Sequence, residues 1–225
     1  TVLSFTLLLP IFVSFPRKGI WALLFTLLSI GLFVKAHQSS GYEYGKAKPN
    51  SLVYILNGDI NKANWATYDV NLDEWTKGYL GEKPKDAKPL NTNKWYSKYG
   101  SKYTFMADAP IKNIPKPTID FVNDSVIGNR HYYKIIISPN RKVNRYDIFD
   151  NGKTTFYNLR ANGVKSTEVK SNIIAKKTNK LLSYYVVDNL PLELEFSINT
   201  NQKLDLNLVE SSFDLMHNPA FSMAK

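Results

Sequence analysis

The chain has 225 residues, a formal net charge of +10 and no cysteine. The lack of cysteine excludes a disulfide framework and any zinc site built from thiolates. The lysines are scattered among Asn, Tyr and Asp instead of forming a basic stripe, so the charge does not predict a nucleic-acid partner.

Two uncharged apolar runs, residues 2–15 and 20–34, open the chain. Arg17 and Lys18 separate them, and Lys35 follows the second run. A helix satisfies its own backbone hydrogen bonds in lipid, so we predict a transmembrane helical hairpin within residues 1–36, with the bilayer as a partner. The chain starts with Thr1 rather than Met, directly before the first apolar run. We therefore expect the first of the two helices to be truncated and the chain to come from a longer protein.

The second apolar run also fits a cleaved signal peptide. Arg17 and Lys18 would form its charged start, residues 20–33 its apolar centre, and Val34-Lys35-Ala36 its cleavage site. The apolar run that precedes Arg17 favours the hairpin, since a signal peptide does not begin with another hydrophobic helix.

Flanking charge predicts the orientation of the membrane segments. Basic residues favour the cytoplasmic side, which places the turn with Arg17 and Lys18 there and Lys35 on the other side. We therefore expect an integral membrane protein in which residues 37–225 lie in the periplasm, the extracellular space or an organelle lumen.

Residues 37–49 are polar, contain glycine and lack periodicity, which predicts a linker. Residues 51–56 and 63–68 predict a β-hairpin, because both are strand-like and turn residues lie between them. Residues 72–80 predict a short helix with Asn71 as its cap.

Further strands are predicted at residues 103–107, 118–122 and 131–138. The run Ile135 to Ile137 is apolar on both faces, which is typical of a central strand. Two more strands flank Asp150-Asn151-Gly152, and this turn sequence predicts a second hairpin.

Alternation is clearest near the end of the chain. Leucine, phenylalanine and isoleucine alternate with polar residues over 192–199 and 204–208, and Glu210 is expected to end the second run. This period of two indicates antiparallel sheets with one buried face. We therefore predict an all-β class, with an antiparallel β-sandwich over residues 50–225 after the membrane hairpin and linker.

Candidate catalytic residues are few. His37, His131 and His217 have no second histidine or carboxylate at metal-ligand spacing, so the sequence predicts neither a catalytic residue nor a metal ligand among them. A pocket assembled from distant residues, such as Asp59, Asp69 and His131, stays open as a weaker hypothesis.

Aromatic residues are plentiful, and Trp65, Trp75 and Trp95 are the candidate ligand-binding or domain-contact residues. One hypothesis is a stand-alone anchored sandwich that binds glycan or peptide through exposed indoles. It predicts that Trp75 or Trp95 lies exposed in a groove. Ordinary packing within a core explains the same residues equally well.

Several short segments resemble one family. Residues 49–80 contain a Pro-Asn-Ser-Leu entry, a hairpin with an Ala-x-Trp position, and Asp73-Glu74-Trp75-Thr76. Together with Ser138-Pro139, the turn Ala161-Asn162-Gly163 and residues 209–215, this pattern resembles membrane-bound zinc aminopeptidases of the endoplasmic-reticulum metallopeptidase and vacuolar membrane protease type, a group with bacterial members.

The resemblance implies a parent protein with an N-terminal peptidase domain that holds two zinc ions through His, Asp and Glu, followed by membrane helices and this domain. None of the family's zinc ligands, nor its catalytic Glu, has a counterpart in these residues. We therefore expect a domain without catalytic residues or a cofactor of its own, whose partners are the parent's peptidase and membrane domains.

Overall fold

The computed structural model of the chain describes residues 10, 13–14, 16–42, 48–92, 95–96, 101–152, 154–165, 173–174 and 179–223. The chain divides into two compact units, Thr1–Pro49 and Asn50–Lys225. The first predicted membrane helix, residues 2–15, falls almost entirely outside the described residues. Part of the predicted linker, residues 43–47, does so as well.

The first unit contains helix α1, Lys18–Ser39, whose 22 residues include no buried side chain. At ~1.5 Å per residue the helix is ~33 Å long, enough to cross a hydrocarbon core of ~30 Å. Length and composition thus make it a candidate membrane span, although a signal sequence near the N-terminus fits the same criteria. The helix extends beyond the predicted apolar stretch and includes Lys35 and His37. It ends at Ser39, and the amide and hydroxyl of the next residue, Ser40, donate hydrogen bonds to the carbonyl of His37.

The second unit is built from strands and two short helices. The helices are α2, Glu74–Leu80, and α3, Lys88–Asn91. The strands are β1 Val53–Asn57, β2 Lys62–Thr67, β3 Lys85–Asp86, β4 Phe105–Asp108, β5 Thr118–Ile127, β6 Arg130–Ser138, β7 Arg145–Asp150, β8 Phe156–Ala161, β9 Val164–Lys165, β10 Ile173–Ile174, β11 Lys180–Tyr185, β12 Leu192–Asn199 and β13 Leu206–Ser211. Every strand pair in the described residues is antiparallel, which confirms the all-β class.

The strands form three sheets. The first has the order β1-β2-β4-β3. The second has the order β10-β8-β12-β6-β5, with β9 added beside β8, and the third has the order β11-β7-β13. The predicted hairpin of β1 and β2 is confirmed, with Tyr54 opposite Trp65.

One hydrophobic core takes side chains from both the second and the third sheet. Ile135, Phe156 and Leu194 enter it from the second sheet, and Tyr146 and Ile148 enter it from β7. Alternation along β12 follows the predicted pattern, because Leu192, Leu194, Phe196 and Ile198 are all buried. At ~25 cal/mol per Å² of buried apolar surface, a shared core of this kind is the main term that holds the two sheets together.

The hairpin predicted around Asp150-Asn151-Gly152 is wrong. The strand before this turn, β7, pairs with β11 and β13 in the third sheet, whereas β8 after the turn pairs with β12 in the second sheet. Both edges of β7 are therefore occupied. The buried Asp150 carboxylate accepts hydrogen bonds from the amides of Gly152 and Thr154 and from the Thr154 hydroxyl at 3.0–3.2 Å, so the turn carries the chain from one sheet to the other.

Helix α2 begins two residues later than predicted, because its N-cap is Asp73 and not Asn71. The Asp73 carboxylate accepts a 2.8 Å hydrogen bond from the amide of Thr76. This carboxylate also lies where the helix dipole favours negative charge.

Replacing Asp73 by Ala should destabilise the second unit by about 1 kcal/mol, because an amide of the first turn loses its partner. The matched change Asn71→Ala should leave the free energy of unfolding within ~0.5 kcal/mol of wild type. Urea unfolding followed by tryptophan fluorescence measures both. An equal loss in the two variants would show that Asp73 is not the cap.

Candidate functional site

The hairpin of β5 and β6 carries a hydrogen-bonded chain of three polar side chains. His131 contacts the Asp124 carboxylate through Nε2, and its Nδ1 lies 2.9 Å from the Tyr133 hydroxyl. The His131 and Tyr133 rings stack with their centroids 4.3 Å apart. A neutral imidazole can donate through Nε2 and accept at Nδ1, so all three groups satisfy one another.

This cluster is not arranged for nucleophilic chemistry. Burial, and secondarily the charge of Asp124, raises the pKa of Tyr133, so its hydroxyl stays protonated and acts as a donor. Both ring nitrogens of His131 are engaged, which leaves no lone pair directed at a substrate. The arrangement can fix the β5–β6 hairpin and present polar atoms at its surface.

The hypothesis of a pocket from Asp59, Asp69 and His131 gains no support from their contacts. Asp69 accepts hydrogen bonds from the Ser51 amide and the Thr67 hydroxyl, each at 3.1 Å. His131 binds Asp124 and Tyr133 instead. These hydrogen bonds give Asp69 and His131 no shared partner.

Trp65 and Trp75 belong to one aromatic cluster on the first sheet. Trp65 is buried, and its ring centroid lies 5.1 Å from those of both Tyr54 and Tyr79. Trp75 is half-buried, and its ring centroid lies 5.0 Å from that of Tyr79. Phe221, near the end of the described chain, packs on Tyr54 at 4.7 Å. The cluster thus links strands, helix and C-terminal segment.

Trp95 is also half-buried, and its ring lies 6.5 Å from that of Tyr96. The indole nitrogen is inaccessible to solvent and has no hydrogen-bond partner among the described residues. The part of the ring that remains exposed is consequently apolar carbon, a surface suited to packing against another domain or a ligand.

The predicted membrane-flanking residues lie at the two ends of α1. Arg17 precedes the helix with a positive φ of 53° and makes no side-chain cap, and Lys18 is the first helical residue. Lys35 lies inside the last turns of the helix, one turn before its end at Ser39. At this position its long side chain can reach a membrane interface.

A buried charge cluster lies on β7 and β11, and no pattern in the sequence predicted it. The Asp147 carboxylate is 1% exposed and binds Arg145 at 2.8 Å and Lys180 at 3.1 Å. The hydroxyl of Ser183 donates a further hydrogen bond to it at 2.5 Å. Arg145 and Asp147 are two residues apart on one strand, so the alternation of β7 places both on the face opposite the core residues Tyr146 and Ile148.

A second, half-buried pair joins Arg141 to Glu210, the residue that breaks the apolar alternation but still lies within β13. Arg141 also donates to the Ser212 hydroxyl at 2.6 Å. Burial raises the pKa of Glu210, and Arg141 opposes this shift. Tyr146 lies opposite Glu210 across the strand pair, and burial followed by the Glu210 charge raises the pKa of its phenol to about 12.

The raised pKa of Tyr146 predicts alkaline instability. A folded pKa of about 12 exceeds the usual value of 10, so the stability that this phenol contributes is complete below pH 10 and is lost as the pH rises through 12. Tyr146→Phe should flatten the fall in stability between pH 10 and 12, and it should cost little at pH 7 because the hydroxyl has no partner among the described residues. Urea midpoints at each pH measure this.

The control for that experiment is Tyr185→Phe, since Tyr185 is 59% exposed. This variant should keep the wild-type dependence on pH. The interpretation fails if Tyr146→Phe retains the full alkaline loss, or if the control flattens the curve equally.

The described residues contain no group of three or more His, Asp or Glu side chains that could hold a metal ion. No family model, curated protein or solved structure matches the chain.

Proposed function

We propose that the chain is a membrane-anchored, non-catalytic β-sandwich domain of a zinc aminopeptidase of the endoplasmic-reticulum metallopeptidase and vacuolar membrane protease type. In this proposal it supports or shields the peptidase domain outside the cytoplasm. The observation that carries the proposal is the segment 49–80, which bears most of the resemblance. It folds into one continuous hairpin-and-helix unit.

Motif residues within that segment support one another. Asp73 caps α2, and Trp75 packs on Tyr79, which in turn packs on Trp65 of the hairpin. The residues of the motif therefore depend on one another in the fold, because Asp73 sets the start of the helix and the helix positions the indole of Trp75. A motif whose residues form one structural unit supports a family resemblance more strongly than the same residues would in a loop.

The finer architecture is also part of the proposal. The core shared by the second and third sheets supports a sandwich, because two sheets that pack face to face bury their apolar sides against each other. Helix α1 supplies a segment long enough to serve as the second half of the predicted membrane hairpin. The positive charges before it favour residues 37–225 outside the cytoplasm.

Zinc belongs, in this proposal, to the parent's peptidase domain. The described residues of this chain do not fit a zinc site, because no three potential ligands are grouped together. The chain's own contribution is then structural. The half-buried indoles of Trp75 and Trp95 are the surfaces through which it would contact the peptidase domain.

The stand-alone alternative, binding of glycan or peptide by surface aromatics, has weaker support. That alternative predicts Trp75 or Trp95 exposed in a groove, whereas both indoles are half-buried and Trp75 packs on Tyr79. Neither indole presents the fully exposed stacking face that such a site uses.

The proposal is tested in the native host with three strains: one with the intact gene, one with the gene deleted, and one lacking codons 50–225. Chelator-sensitive release of N-terminal amino acids is measured in washed membranes. We expect activity in the intact strain to exceed the deletion strain, and removal of codons 50–225 to lower it at least several-fold. Equal activity in the intact and deleted strains would refute the assignment to a zinc aminopeptidase.

A further inference from the structure

Strand β5 leaves an apolar surface uncovered. It pairs with β6 along one edge, and its other edge has no partner among the described residues. Its apolar side chains are 47% to 66% exposed: Ile119, Phe121, Val122, Val126 and Ile127. A ten-residue edge strand of this kind is a template for pairing with another strand.

The register with β6 shows which of these side chains continue the core. Ile119 and Phe121 lie opposite the buried Ile137 and Ile135, and Val126 lies opposite His131. These three β5 residues therefore share the core face of the sheet, although nothing described covers them. Asp124, opposite Tyr133, lies on the same face.

A β-bulge at Val122 makes this face symmetric. The extra residue shifts the alternation, so that the core-side residues stand at 119, 121, 124 and 126 and the outward residues at 118, 120, 123, 125 and 127. Apart from the central pair, Val122 and Asn123, both sets are symmetric about the point between residues 122 and 123. An antiparallel copy of β5 in this register would place each of the other side chains on the same face as the side chain opposite it.

Charge agrees with that register. Residues 118–127 include Asp120 and Asp124 but no Lys or Arg. In the symmetric register Asp120 lies opposite Ser125 of the copy and Asp124 opposite Phe121, so no two carboxylates face each other. An acidic edge without basic residues is poorly suited to an anionic membrane surface.

From this symmetry we propose that β5 pairs with β5 of a second copy of the chain, which joins the two second sheets across a two-fold axis. A two-fold interface uses the same surface patch on both partners. The alternation of core-side and outward side chains along β5 meets this requirement, because it matches the alternation of an antiparallel second copy. The inference goes beyond the proposed function, since a supporting domain could act as a monomer.

Cysteine cross-linking tests the register, because the chain has no native cysteine. In the full chain in detergent, Ile119→Cys with Val126→Cys should give a disulfide-linked dimer under mild oxidation, since the two positions face each other between copies. Within one copy they are seven residues apart on a strand, roughly 23 Å, so they cannot bridge. The matched pair Ile119→Cys with Ile127→Cys lies on opposite faces and should not cross-link.

Light scattering gives the second readout. The wild-type chain should have a dimeric protein mass. Ile119→Lys with Val126→Lys places lysines opposite each other and should weaken association roughly 100-fold without unfolding the chain, because both positions are exposed. The control, Val70→Lys with Val164→Lys, should remain dimeric. A monomeric wild type overturns the proposal, and so does a dimer whose cross-linking does not distinguish the two cysteine pairs.

Discussion

Replacing Asp147 by Asn should destabilise the second unit by about 3–5 kcal/mol, the largest loss that we expect from a single charge. The Asp147 carboxylate is the anion for Arg145 and Lys180, and the side chains of Arg145 and Asp147 are 7% and 1% exposed. Without its charge, the Arg145 guanidinium stays buried and uncompensated. Urea unfolding of the detergent-solubilised chain measures the change.

Two comparisons isolate the cause. Asp188→Asn removes the same charge from an exposed turn with a φ of 50°, a conformation that Asn tolerates, and should have little effect. Arg145→Met combined with Asp147→Leu should recover much of the loss, because neither side chain is then a buried ion. A change below ~1 kcal/mol in Asp147→Asn would contradict a stabilising role for this cluster.

Replacing Leu27 by Arg should prevent stable insertion of helix α1. Leu27 lies near the middle of the Lys18–Ser39 helix, and exchanging a leucine for an arginine there costs about 3–4 kcal/mol of insertion free energy. This corresponds to a shift of the insertion equilibrium of roughly 100- to 1,000-fold. The measurement is the fraction of chain that remains in membranes after alkaline carbonate extraction.

Ser39→Arg is the control, because it places the same side chain at the end of the helix, where the guanidinium reaches the interface. This variant should stay in the membrane fraction. If Leu27→Arg is retained as well as wild type, the helix is not what holds the chain in the membrane.

Strands were predictable where local alternation decides the structure. The period of two in β12 follows from which side chains enter the core, and the buried Leu192 to Ile198 set agrees with it. The turn at Asp150-Asn151-Gly152 shows the limit of that reasoning. Turn residues specify that the chain reverses, but the partner of each strand depends on edges formed by distant segments, and β11 and β13 occupy both edges of β7.

The polar clusters were missed for the same physical reason. Lys180 is 33 residues from Asp147, and Ser212 is 71 residues from Arg141, so only the folded sheets bring them together. The Asp124–His131 contact, in contrast, could have been predicted from the sequence. A turn at Gly128-Asn129 pairs Ile127 with Arg130, and counting back along the hairpin puts Asp124 diagonal to His131.

The most direct test of an anchored domain outside the cytoplasm is single-cysteine labelling in intact cells with a small membrane-impermeant maleimide. The chain has no background thiol, and Val70, 73% exposed, lies in the second unit. We predict that Val70→Cys reacts in intact cells and that Lys18→Cys reacts only after permeabilisation. The mass of the intact protein should show that residues 18–39 have not been removed by cleavage. Protection of Val70→Cys in intact cells, or a mass that lacks residues 18–39, would contradict it.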